Sequence, residues 1–319
     1  MMDAEDRELL ERSLRHAVDH HTGADLDAAL DGLGWRDALA VDPRTATSSL
    51  FELQGAADAT SAALDDVLAA ALDLDTGGPV GVVLPLLGGA RPPGTVAGLT
   101  VRGLGTAALA RRETALVVAS GGEKDVAVLV PTASLALRPV TGLDPDLGLV
   151  EVAGDDVGDA VQADPPPTAW DAAVAAGRRA LGHELVGVGR AILAMARDHA
   201  VDRVQFGRPI ASFQAVRHRL AETLVAVEAA DAALGAAWDE PSPTTAAMAK
   251  ALAGRGARTA ARHGQQVLAG IGFTTDHRLH RYVRRAIVLD ELLGGARTLT
   301  HELGQEVLRA RRLPELPAL

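Results

Sequence analysis

Two segments of this 319-residue chain concentrate groups that can address a ligand. The first runs Asp202-Arg203-Val204-Gln205-Phe206-Gly207-Arg208-Pro209-Ile210-Ala211-Ser212-Phe213-Gln214. Gly207 and Pro209 fix a turn there. Arg203, Gln205 and Gln214 supply one cation and two amides, the donors that suit an anion joined to a heterocycle. The same residues also fit an ordinary connection between two helices. The second segment is Gln266-Val267-Leu268-Ala269-Gly270-Ile271-Gly272-Phe273-Thr274. Gly270 and Gly272 allow a backbone to come close to a ligand, although glycines also simply end helices.

Other chemistries find little support. With no cysteine there is no thiolate nucleophile, disulfide or cysteine-based zinc site. No GxxxxGK[ST] motif is present, and His183-Glu184 lacks the second histidine one turn later that a zinc protease needs. His277 and His280 are read as surface residues, so no metal site is expected. Ser120-Gly121-Gly122 lacks the strand-turn-helix setting of a nucleophile elbow. Leu87-Gly88-Gly89-Ala90 lies among strand-like runs rather than before a helix, where a phosphate would be cradled.

Charge is uneven. Residues 1–165 carry 27 acidic and 11 basic side chains, and residues 166–319 carry 15 and 20. The acidic half argues against nucleic-acid binding, whereas the basic half suits a phosphate-bearing ligand. No apolar run is long enough to cross a bilayer, and the start MMDAEDRELL is acidic, unlike a signal peptide. A cytoplasmic protein that needs no membrane is the expectation.

The elements that must position the two segments follow from periodicity. Residues 3–75 show apolar positions at helical spacing. From Pro79 to Gly154, short β-branched runs such as VGVVLPL, TALVVAS and DVAVLVP alternate with Gly and Pro turns, which predicts a compact β unit. Ala163-Asp164-Pro165-Pro166-Pro167 reads as a linker. Beyond it, four helices are predicted over 169–202, 212–239, 243–269 and 286–311, with Ser212 capping the second. They would form an antiparallel bundle. The expected domains are 1–77 (helical), 78–163 (β) and 164–319 (helix bundle).

RVQFGRPIASFQAVRHRLAE, then QVLAGIGF some 50 residues on, then RYVRRA, closely resembles the C-terminal domain of the acyl-CoA dehydrogenase family. The resemblance covers about residues 170–300 and is looser upstream. It implies that family's fold: a helical N-terminal region, here shortened, a middle β-barrel and a C-terminal four-helix bundle. It also implies FAD as cofactor and an acyl-CoA substrate. In the family a carboxylate removes the α-proton of the thioester and the β-hydride passes to the flavin. By position, Arg203, Gln205, Phe206, Gln214, Gln266 and Gly270 match the residues that reach across a subunit interface to the neighbour's FAD.

Three departures from the family stand out. Its two positions for the catalytic Glu correspond here to Leu293, followed by Gly294, and to Gly177, so no catalytic residue is assigned. Glu184, Asp290 and Glu291 are the nearby carboxylates that a displaced base could use. The strand that usually supplies hydroxyls to flavin and substrate reads Val82-Val83-Leu84-Pro85-Leu86. The N-terminal helical region is short. Together these resemble the short actinobacterial chains that pair as α2β2 heterotetramers and act on steroid side-chain CoA esters. The reading is a subunit without the base, completing the FAD site of a second dehydrogenase-like subunit. A self-sufficient homo-oligomer with a relocated base and a flavin-free scaffold are the alternatives.

Overall fold

The computed structural model describes residues 2–74, 78–121, 124–158, 160–163 and 169–311. Five helices come first: α1 (Ala4–His20), α2 (Ala24–Gly32), α3 (Trp35–Val41), α4 (Pro43–Ala57) and α5 (Ala63–Leu72). Local chemistry sets their ends. The Asp3 side chain accepts from the Asp6 N–H at the start of α1, and Gly34 takes the left-handed conformation (φ 70°) just before α3.

Eight strands follow: β1 (Gly81–Val82), β2 (Gly94–Thr95), β3 (Thr100–Gly105), β4 (Thr114–Ser120), β5 (Asp125–Pro131), β6 (Ala136–Pro139), β7 (Val150–Gly154) and β8 (Val161–Ala163). They pair in the order β6-β7-β3-β2-β4-β5-β8, with β1 added on β4. The sheet is mixed: β1 and β2 run parallel to β4, and the other pairs are antiparallel. Among the described residues this path runs from β6 to β8 without the two ends pairing. Its core includes the β-branched Val83, Val101, Val117, Val128, Val130, Val150 and Val152 that the short runs supply, with Leu109 from a 3-10 turn packed among them.

The remaining elements are α6 (Ala169–Asp202), the hairpin strands β9 (Val204–Gln205) and β10 (Arg208–Pro209), α7 (Gln214–Asp239), α8 (Pro243–Leu268), α9 (Leu279–Glu291) and α10 (Ala296–Ala310). The fourth predicted helix, 286–311, is therefore two helices. The chain breaks at Leu293 (φ 56°) and Gly294 (φ 101°), where left-handed backbone cannot continue a helix. Ser212 is not the cap of α7. It lies in a 3-10 turn, bonds the Pro209 carbonyl, and leaves Phe213 at the cap position with no side-chain bond. The working cap is Ser242 on α8, in a reciprocal capping box with Thr245. Most of the linker over 163–167 lies outside the described residues.

By contact the chain divides into two compact units. One comprises 1–50, 59–180 and 291–294, holding most of the N-terminal helices, the sheet and the start of α6. The other comprises 51–58, 181–290 and 295–319, holding the helical bundle and the end of α4. In the bundle, small residues let helices come close. Gly55 on α4 faces the Glu184 carbonyl and Gly187 on α6 faces the Glu52 carbonyl, so a side chain at either would collide with backbone.

Candidate functional site

Helix direction brings the two segments singled out in the sequence to one end of the bundle. Along α6 and α7, Gly182 faces Leu234 and Gly189 faces Val227, so the two helices are antiparallel. Along α7 and α8, Thr223 meets His263 (3.0 Å) and Ala226 meets Gly256, again antiparallel. Gly264 faces Leu279 and Gly254 faces Asp290, which gives α9 the reverse sense of α8. The α6–α7 connection and the α8–α9 connection therefore emerge at the same end of the bundle. His199, near the end of α6, is held below the usual histidine range by burial first, and then by His277 from one connection and Arg203 from the other. Burial, Arg278 and His280 lower His277 as well.

All six residues singled out in the sequence are exposed here. Arg203 follows α6, Gln205 is in β9, Phe206 is at the hairpin tip, Gln214 opens α7, Gln266 is in the last turn of α8, and Gly270 lies in the 3-10 turn Ala269–Phe273. Phe206 is 92% exposed and Phe273 is 70% exposed. The chain has only four phenylalanines, at 51, 206, 213 and 273. Three of them sit in these two connections, and only Phe51 is core. A chain short of aromatics normally hides them.

Two side chains important here were not singled out. Arg208 lies over the Phe213 ring, 4.3 Å from its centroid, and Phe206 meets Phe213 edge-on at 6.1 Å. The signal in the sequence was the aromatic spacing around a basic residue, which looked like part of a turn.

The two positions that the resemblance matched to a catalytic base, 177 and 293, lie in a leucine-filled space. Leu293 is buried, and its Cδ1 would stand 2.5 Å from a Cβ placed on Gly177, with Leu68 and Leu64 beside it. Arg178 Nε donates to the Leu293 carbonyl at 2.9 Å and fixes that backbone. Leucine side chains thus fill the space over Gly177. The strand Val82-Val83-Leu84 commits its backbone to the sheet: Val83 N–H donates to Leu116 O, and Leu84 exchanges bonds with Leu104.

Two of the three carboxylates considered as displaced bases, Glu184 and Asp290, are held in ion pairs. Glu184 is buried and pairs with fully buried Arg285 at 3.6 Å. Arg285 also faces Asp58, which takes a 2.7 Å bond from Arg281. Asp290 is buried, pairs with Arg258, and its Oδ1 accepts the Ala296 N–H that opens α10. The Glu291 carbonyl accepts from Gly88 N–H at 2.8 Å. Among the described residues one group has metal-like grouping: Glu52, His183 and Asp231, with ligand atoms within 4.8 Å. Arg190 already pairs with Glu52 and Asp231, and Trp238 donates to His183 Nε2. The guanidinium supplies the positive charge that a metal would bring.

A groove of about 520 Å³ runs between α7 and α8, lined by Ala221, Val225, Ala226, Leu252 and Arg255. None of the six residues lines it. No helix of the described residues is long and apolar enough to cross a membrane.

The family profile "Acyl-CoA dehydrogenase, C-terminal domain" matches residues 169–307. Acyl-CoA dehydrogenase IpdE2 of Mycobacterium tuberculosis is 33% identical over 196 residues, which is 60% of this chain and 59% of that protein. Acyl-CoA dehydrogenase FadE34 of the same organism is 42% identical over 123 residues, covering 36% of this chain and 17% of FadE34. The chain thus matches less than two thirds of the length of these relatives. A solved Tcur3481-Tcur3483 steroid ACAD variant superimposes with a TM-score of 0.81 at 23% identity, over 96% of this chain and 99% of that one. The ChsE4-ChsE5 complex from Mycobacterium tuberculosis gives 0.79 at 23% identity, over 99% of each. At that identity the structures speak for the fold.

Proposed function

We propose that this chain, whose residues 169–307 match the acyl-CoA dehydrogenase C-terminal domain profile, is a subunit of a heteromeric FAD-dependent acyl-CoA dehydrogenase. Its part would be to complete the flavin site of a second dehydrogenase-like subunit, with no base of its own. The domain division 1–77, 78–163 and 164–319 and a steroid side-chain CoA ester as substrate belong to the same proposal. One solved structure above, the Tcur3481-Tcur3483 variant, is described as a steroid ACAD, which supports the substrate class.

The observation that carries the proposal is the exposure of Arg203, Gln205, Phe206, Gln214, Gln266 and Gly270 at one end of the bundle. These donors fit a flavin dinucleotide. A guanidinium suits its diphosphate, amides suit the edge of a heterocycle, and an exposed aromatic ring suits a flat one. Gly270 has nothing within 4 Å of where a side chain would begin, so a ligand can lie against its backbone. When bound, FAD supplies the hydride chemistry, and these residues bind and orient it. The filled space over Gly177 supports the absence of a base in this chain, as do the ion pairs of Glu184 and Asp290.

The test is co-expression with the dehydrogenase-like product of a neighbouring gene, followed by the visible spectrum and native mass. The expected result is a yellow hetero-oligomer, with this chain colourless alone. A yellow, active homo-oligomer of this chain would overturn the proposal, and so would a complex without flavin.

A further inference from the structure

The α6–α7 hairpin is under-supported by its own burial. Its tip residues, Phe206 (φ 55°) and Gly207 (φ 75°), both take left-handed backbone, which glycine adopts freely and phenylalanine does not. The strands pair over only two positions, Gln205 with Arg208 and Val204 with Pro209, and every residue from Val201 to Pro209 is exposed. Two-stranded hairpins of this length are at best marginally stable in water. Something other than a core must hold Phe206 in a strained and exposed position.

The side chains that do so converge on Phe213. The Arg208 guanidinium stands 4.3 Å from its centroid, and the Phe206 ring meets it at 82° and 6.1 Å. Phe213 is anchored in turn. It is the residue just before α7, its N–H donates to the Ile210 carbonyl, and Arg217 Nε donates to the Ala211 carbonyl beneath it. A cation over one aromatic and an edge-on contact from another are both favourable arrangements.

We propose that Arg208 is a positioning residue that clamps Phe213 and, through that ring, holds Phe206 and the hairpin tip in the conformation offered to the flavin. This rests on the reading of the hairpin as a flavin-completing element. Arg208 acts through Phe213 and does not itself touch the flavin. The clamp presets the tip before binding, so less order has to be created when the flavin arrives.

The test uses the reconstituted complex, with the FAD dissociation constant as readout, and the full chain alone, with amide hydrogen exchange over 204–210 as readout. Arg208→Met and Phe213→Leu each weaken FAD binding, by roughly three- to tenfold, and speed exchange of the Ile210 N–H, which is bonded to Arg203 O. The double variant is no worse than either single one, because both remove the same clamp. Arg208→Lys and Phe213→Tyr, which keep a cation over a ring, restore both readouts. Additive losses would overturn the inference, as would a Phe213→Leu complex with unchanged FAD affinity, since Arg208 would then act by its charge alone. Arg203→Ala is the reference. If it weakens FAD binding while the clamp variants do not, the flavin reading stands and this inference falls. If it too has no effect, the reading itself falls and the inference with it.

Discussion

The exposed end of the helix bundle and the space over Gly177 are built on opposite principles. At the bundle end, arginines, glutamines and two phenylalanines stand in solvent on short connections. Over Gly177, buried Leu293 with Leu64 and Leu68 fills the volume. Exposed apolar rings gain nothing for an isolated chain. A leucine over a glycine gains burial and forgoes proton chemistry. Under the proposed function, the contrast is between the half of a composite site that the chain would lend and the half that it would otherwise use itself.

The contrast can be attacked at its sealed side first. Leu293→Glu buries a carboxylate among leucines, and the expected loss is on the order of 4 kcal/mol. Urea denaturation of the full chain measures it. A variant as stable as the parent would mean that the space admits water, and the sealed reading would fail. Glu184→Gln bears on the same side of the argument. If Glu184 were a displaced base, folding would survive and turnover would vanish. As the partner of buried Arg285, its neutralisation instead lowers stability by about 3 kcal/mol, read by the same denaturation.

The exposed side makes the opposite demand. Arg203→Ala leaves the fold intact and weakens FAD retention in the complex by roughly 10- to 100-fold, the value of a charge-assisted bond to a diphosphate. Equilibrium dialysis of the flavin reads this directly. Unchanged retention would remove Arg203 from the site.

A smaller effect separates the two regions by pH. Asp65 is fully buried, accepts from the Thr106 hydroxyl at 2.7 Å, and is pushed up to about 7 by burial. Burial also pushes its neighbour Asp66 up to about 6. Folding therefore favours the protonated acids. Their contribution is present in full below the ordinary carboxylate range and is lost as pH rises through about 6 to 7, by at most about 1.4 kcal/mol per pH unit per group. Thermal melts from pH 5 to 8 should show stability falling with pH, and Asp65→Asn should flatten that slope. A wild-type slope of the other sign would contradict the assignment. The smallest effect on folding is expected at Gly270, where nothing lies within 4 Å. Gly270→Ala changes stability by no more than about 0.5 kcal/mol yet lowers FAD retention in the complex, because the added methyl occupies space meant for the ligand. Retention equal to that of the parent complex would show that no ligand backs onto this turn.

Much of this was legible in the sequence, for stated reasons. Short β-branched runs between Gly and Pro turns became strands at nearly the expected places, and the long helical periodicity of 169–202 became a single helix. The two connections were legible because their chemistry is local: donors and glycines within a dozen residues of one another. The end of the bundle was less legible. A period of 3.6 residues runs on through 286–311, but Leu293 takes left-handed backbone under a bond from Arg178, 115 positions away. The cap assigned to Ser212 failed because the chain makes a 3-10 turn there first.

Sequence by itself determined which groups the molecule has to work with. It fixed the donors on the two connections, the missing carboxylates at 177 and 293, and the apolar strand at 82–84, because composition and spacing are properties of the chain alone. Tertiary structure decided who meets whom: that both connections emerge at one end, that Arg208 lies over Phe213, and that Leu293 fills the space over Gly177. Those meetings depend on helix direction and on packing between residues far apart in the chain, and no local pattern encodes either.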